Sequence, residues 1–169
     1  MVSDSGTGDL AGDPGSGKLW AGITALYAEP GVAEACLAAQ DEAGADVLLL
    51  LAAALRARDG ISLQGAGPAL AAAAEPWRSE VVRPLRGLRR RWRGLDGVEP
   101  LRERLKVLEL EAERAQFERL APLLAGPPAE ATAALLRANL AAVEPSLSRE
   151  HLDVLVAALL RGWRPAPGG

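Results

Sequence analysis

Val47-Leu48-Leu49-Leu50-Leu51-Ala52-Ala53-Ala54-Leu55 is a run of nine residues without one polar side chain. Leu and Ala are strong helix formers, and only Val47 is β-branched, so the run reads as helix rather than strand. It is about half the roughly 20 residues that a membrane span requires. A helix that is apolar on every side must be enclosed by other elements, so this one is expected at the centre of the fold. Asp46 stands where a negative charge favours a helix start, and Arg56 and Arg58 stand where cations favour a helix end. Asp59-Gly60 closes the segment, which is expected over about residues 45–58.

On the N-terminal side, Gly44 suits a left-handed stop for a helix over about residues 32–43. In that helix Val32, Cys36, Leu37 and Ala39 or Gln40 follow helical spacing. Pro30-Gly31 separates it from a helix over about residues 19–28, with Trp20, Ile23, Leu26 and Tyr27 on one side. Residues 1–17 are rich in Gly, Ser and Asp and read as a tail, as do residues 164–169. The remainder, residues 18–163, reads as one domain, since 169 residues suffice for one real core.

On the C-terminal side, a Gly-rich connection over residues 61–68 leads to an Ala-rich helix ending near Glu75. Pro76 is expected to restart the chain into a basic helix over about residues 77–93, kinked at Pro84. Its apolar stripe is Val81, Leu85, Leu88 and Trp92. A long helix from Pro100 to about Leu124 presents Leu101, Leu105, Leu108 and Ala112 as one seam, with Leu110, Phe117, Leu120 and Leu124 on a shifted one. Two more helices follow, near residues 129–143 and 149–163, the last with Ser148 as N-cap. The fold class is therefore all-α, an irregular bundle of about seven or eight helices around a central apolar one.

Composition narrows the function classes. Net charge is −3 with both signs interspersed, so no single-sign field selects a partner. Cys36 is the only cysteine, and no secretory leader pattern opens the chain, which reads as cytoplasmic.

Several segments resemble a bacterial family known as domain of unknown function 2390. They are Leu26-Tyr27-Ala28-Glu29-Pro30-Gly31-Val32, Ala35-Cys36-Leu37, Gln40-Asp41, Gly44 and Asp46-Val47, then Trp77-Arg78, Val81-Val82, Pro84-Leu85-Arg86 and Leu88-Arg89, and the helix carrying Lys106, Glu109 and Glu113. The resemblance spans about residues 19–120 and implies a small all-helical protein, chiefly from proteobacteria, with no agreed set of site residues.

Candidate chemistry is sparse. Gly12-Asp13-Pro14-Gly15-Ser16-Gly17-Lys18 matches most of a phosphate-binding P-loop, but Leu19 stands where the Mg²⁺-binding hydroxyl belongs and no apolar strand precedes it. Arg83, Arg86, Arg89, Arg90, Arg91 and Arg93 fall within eleven positions that hold no acidic residue. Arg86, Arg90 and Arg93 share one side and offer phosphate contacts, which makes a nucleic-acid or ribosome-associated role one alternative. Against it, Glu103, Glu109, Glu111, Glu113 and Glu118 supply partners on the next helix, and aromatic residues for base stacking are few. Asp41, Asp46, Glu109 and Glu113 suggest a second alternative, an enzyme with an acidic Mg²⁺ site. Gln40, Asp41, Asp46, Arg78, Glu109 and Glu113 are polar residues among apolar ones and read more simply as a structural network. His151 is the only histidine, and neither it nor Cys36 belongs to a catalytic constellation. The residues call for no cofactor, and the reading is a non-enzymatic interaction or regulatory module with a protein partner.

Overall fold

A computed structural model describes residues 14–163. Among these residues the chain forms eight α-helices: α1 (Pro14–Tyr27), α2 (Val32–Ala43), α3 (Val47–Arg58), α4 (Gly67–Trp77), α5 (Arg83–Arg91), α6 (Glu99–Leu120), α7 (Ala133–Val143) and α8 (Arg149–Arg161). A π-helical turn, Arg78–Val82, joins α4 to α5, so these two form one interrupted rod. No strand is present among the described residues, and the architecture is the all-α bundle expected from the sequence.

The apolar run lies at the centre. Every side chain from Leu48 to Leu55 is buried, because α1, α2 and α7 pack around α3. Asp46 caps α3 directly, its carboxylate accepting from the backbone N–H of Leu48 at 2.9 Å and of Leu49 at 3.4 Å. This satisfies two of the donors that a helix start leaves open. Gly44 ends α2 at φ 69°, a left-handed conformation that any Cβ would strain.

Around this centre, α2 and α7 both pack on α8, while α4 spans α6 and α7. The α4–α7 contact is tight, since a Cβ added at Gly67 would fall 1.8 Å from the carbonyl oxygen of Ala142. Asn139 of α7 is buried in the core and serves three backbone groups, accepting from Leu63 N–H at 2.8 Å and donating to the carbonyls of Ile61 and Ala53. Ser148 caps α8, with His151 completing a reciprocal capping box. His151 Nε2 also meets Glu42 at 3.0 Å, which ties α8 to the end of α2.

Four expectations need correction. α1 starts at Pro14, so residues 14–17 are helical rather than tail; residues 1–13 and 164–169 lie outside the described residues. Ser16, Gly17 and Lys18 of the P-loop-like stretch thus sit in a helix, while Gly12 and Asp13 lie outside the described residues. Pro76 does not restart the chain, for α4 runs through it. The distortion expected at Pro84 takes the form of the π turn, in which the Arg83 N–H reaches back to the carbonyl of Arg78. That shift places Pro84 in the first turn of α5, where its missing N–H costs nothing. Finally, the α6 seam is only partly buried: Leu105, Ala112, Phe117 and Leu120 are inside, whereas Leu101, Leu108 and Leu110 face solvent.

Candidate functional site

No residue of α5 is fully buried, and its arginines do not form a free face. Arg86 donates through Nε to Glu109 at 2.9 Å and through Nη2 to Glu113 at 2.6 Å. Arg89 bonds the same Glu109 from the next turn. Arg90 reaches Asp41 of α2 at 3.2 Å, and Arg83 reaches Glu75 of α4 at 3.1 Å, both on the exposed rim. Arg93 is exposed and makes no ion pair among the described residues.

The two α6 carboxylates respond differently to one environment. Burial raises the pKa of Glu109, but hydrogen bonds and charge from Arg89 and Arg86 outweigh it, leaving the group below the ordinary glutamate value. For Glu113 burial prevails over Arg86, with the Glu109 charge adding to it, so this carboxyl titrates above the ordinary value. Arg86 itself is held more firmly protonated, because its two glutamates overcome its desolvation.

A second polar group lies deeper. Besides capping α3, Asp46 accepts from Gln116 Nε2 at 2.9 Å, and its own N–H donates to Glu144 Oε1 at 2.7 Å. Arg78, from the π turn, stands 3.7 Å from Asp46 and 3.8 Å from Glu144 and bonds Glu75 more closely. Four elements thus meet through charge at the start of the central helix. Burial drives Glu144 above its ordinary value despite the Asp46 amide and Arg78. No buried side-chain nitrogen or oxygen among the described residues lacks a partner.

Most of these groups, Glu75, Arg93 and Glu144 excepted, line one cavity of about 700 Å³ between α1, the α2–α3 corner, the π turn with α5, and α6. Its floor is apolar, built from Trp20, Ile23, Leu48, Leu51 and Val82. At its mouth Tyr27, Leu37 and Leu110 remain 37%, 42% and 54% exposed, large apolar side chains that the fold leaves uncovered. Arg78, Arg83, Arg86, Arg89, Arg90 and Lys106 supply six basic groups to the lining, against the four acids Asp41, Asp46, Glu109 and Glu113. Gly87 of α5 also lines the cavity, and a Cβ added there would meet nothing within 4 Å.

All six residues of the sequence-derived network therefore border one space, but they do not form one network. Asp41 is exposed and bonds Arg90 rather than Arg78, and Gln40 lines the cavity without a side-chain hydrogen bond among the described residues. Arg83, Arg86, Arg89 and Arg90 border the cavity, whereas Arg93 does not. The sequence reading missed Gln116 and Glu144, which complete the Asp46 group, and Asn139. Their signal was available: Asn139 falls between Leu136, Leu140 and Val143 on the apolar face of α7, and Gln116 stands beside Phe117 on the core side of α6. A polar residue on a core face implies a buried backbone partner.

Cys36 is buried, and burial raises its thiol to about 12, which leaves it unreactive. Trp77 is engaged, donating to the Ala112 carbonyl at 2.9 Å with the Arg119 guanidinium 3.6 Å from its ring centre. Among the described residues no three His, Cys, Asp or Glu side chains group to hold a metal ion, and no helix is long and apolar enough to cross a membrane.

Residues 18–120 match the family described as protein of unknown function (DUF2390). The chain belongs to that family. No curated protein and no solved structure matches it. Every residue lining the cavity, from Trp20 to Gln116, falls inside the matched span.

Proposed function

We propose that this chain is a cytoplasmic, non-enzymatic binding module, and that its working site is the cavity bounded by α1, α3, α5 and α6. One observation carries the reading: an apolar floor and an excess of basic over acidic side chains meet in a single space. Its volume of about 700 Å³ lies in the range that small-molecule sites occupy. The chemistry of the lining selects a ligand with an apolar body and an acidic group. The body rests on Trp20, Leu48 and Leu51 and passes between Tyr27, Leu37 and Leu110, while the acid meets the arginine rim. Gly87 supports this reading. A glycine inside a helix is costly, and no neighbouring protein atom requires it, so the open space beside it is best used by a ligand approaching the backbone. The free thiol of Cys36 fits a reducing compartment.

The alternatives draw less support. Arg86 and Arg89 are held inside by Glu109 and Glu113, which leaves the rim residues Arg83 and Arg90, in solvent-exposed pairs, for one acidic group and too few charges for a phosphate backbone. The same pairs engage Glu109 and Glu113, while Asp46 is held by backbone and Gln116, which leaves an Mg²⁺ site no open set of carboxylates.

Fluorescence titration with anilinonaphthalene sulfonate, an apolar dye bearing one anion, tests the proposal. One saturable site per chain is expected, displaced by decanoate and not by decyltrimethylammonium. Gly87→Trp places a bulky side chain in the cavity and should weaken binding at least about tenfold without lowering the melting temperature. Binding that ignores Gly87→Trp, or that prefers the cation, overturns the assignment.

A further inference from the structure

The opposite side of α6 carries a second surface. Leu101, Arg104, Leu108 and Glu111 follow 3-4-3 spacing and so form one stripe along the helix, away from the cavity that Glu109 and Glu113 border. All four are exposed, Leu101 and Leu108 to nearly half their area, and Trp92, just after α5, and Leu105 flank them in a shallow groove. Neither Arg104 nor Glu111 makes an ion pair among the described residues, although most charges on α5 and α6 do. They stand seven residues apart, about 10.5 Å along the axis, too far to pair with each other.

We infer that this stripe is a homodimer interface in which α6 pairs antiparallel with α6 of a second copy. The argument is the self-complementarity of the stripe. A two-fold axis passing between Val107 and Leu108 lays Arg104 of each copy against Glu111 of the other, which makes two identical ion pairs. The same axis brings Leu108 against Val107 of the second copy and covers two apolar side chains that the monomer leaves about half exposed. An unrelated partner has no reason to match a pattern that already matches itself. The groove and the cavity share no lining residue, so the inference is argued independently of the ligand-binding proposal.

Sedimentation equilibrium on the full chain, from low micromolar to near-millimolar concentration, should show a monomer–dimer equilibrium. Leu108→Glu should leave the chain monomeric throughout, with its melting temperature preserved because Leu108 supports no core contact. Arg104→Glu alone and Glu111→Arg alone should each weaken self-association by about tenfold or more, since each turns both cross-pairs into like charges. Mixing these two variants should restore a dimer of one copy of each, and the double exchange in one chain should restore the homodimer. A wild-type chain that stays monomeric at every concentration overturns the inference, whatever else covers the stripe. A dimer indifferent to Leu108→Glu overturns it too, and a mixture that fails to pair removes the antiparallel register.

Discussion

The central helix α3 and the long helix α6 both carry leucines at helical spacing, yet the fold buries one set and leaves much of the other exposed. In α3 every residue from Leu48 to Leu55 is buried, while in α6 Leu108 and Leu110 are 47% and 54% exposed and Glu109 between them is 6% exposed. The difference lies in the neighbours. Leucines on α3 meet α1, α2 and α7, whereas this part of α6 is faced by α5, which offers Arg86 and Arg89. A guanidinium pair makes a carboxylate the better inward residue, and the leucines turn outward. Apolar spacing predicts burial only where another apolar face exists to meet it.

The largest effect belongs to α3. Leu50→Ala should cost about 4 kcal/mol, read from the denaturant midpoint, because the site is sealed on all sides and a cavity would persist. Leu108→Ala, the same change on α6, should alter monomer stability by less than about 0.5 kcal/mol. Equal losses at the two positions would erase the contrast.

Glu109→Ala comes next, at about 3 kcal/mol, since it strands Arg86 and Arg89 in a partly enclosed site. Arg90→Ala, which breaks an exposed pair with Asp41, should change stability by less than about 1 kcal/mol. Comparing the two melting temperatures checks whether ion pairs near the cavity matter by burial rather than by number.

How much of this was legible in the sequence follows from the same contrast. The α3 run, the Asp46 start, the Gly44 stop and the Ser148 cap are local signals, and each lies where its chemistry predicts. The π turn was not legible, because Pro76 and Pro84 each suggest a break, and only the packing of the whole rod shows that one register shift accommodates the second proline. The arginine–glutamate pairing was visible as a possibility, since both sets occur on successive helices. Which glutamate faces inward was not, because Leu108 and Leu110 mask Glu109 in any count of apolar spacing. Likewise Asp41 was indistinguishable from Asp46 until the α2–α3 corner separated a rim residue from a buried cap.

Glu113 sharpens the comparison through pH. Its carboxyl titrates above the ordinary value because burial outweighs Arg86, so the folded chain loses stability as pH rises through the ordinary glutamate range toward the folded value. Glu109 runs the other way. Held below the ordinary value by its arginines, it contributes stability above that range and loses it as pH falls through its folded value. Glu113→Gln should therefore melt at or above the wild type at neutral pH, and the two curves should converge at acid pH. Glu109→Gln should instead melt below the wild type at neutral pH, with that deficit shrinking on acidification. Parallel curves for all three proteins would mean that the arginines treat the two glutamates alike.

The smallest expected effect bears most directly on function. Gly87 lies in the interior of α5, its φ is not positive, and a methyl group there meets no atom within 4 Å. On the folded chain alone, Gly87→Ala should raise stability by about 0.5–1 kcal/mol, through lower backbone entropy in the unfolded state. Stability alone gives no reason for glycine at this position, and the proposed ligand, lying close to the backbone there, supplies one. The two readouts must then move in opposite directions, with melting temperature rising and affinity for the anionic dye falling. A variant that gains stability and binds unchanged would leave Gly87 unexplained and would take one support from the cavity as a ligand site. A variant that loses stability would mean that α5 itself requires the glycine.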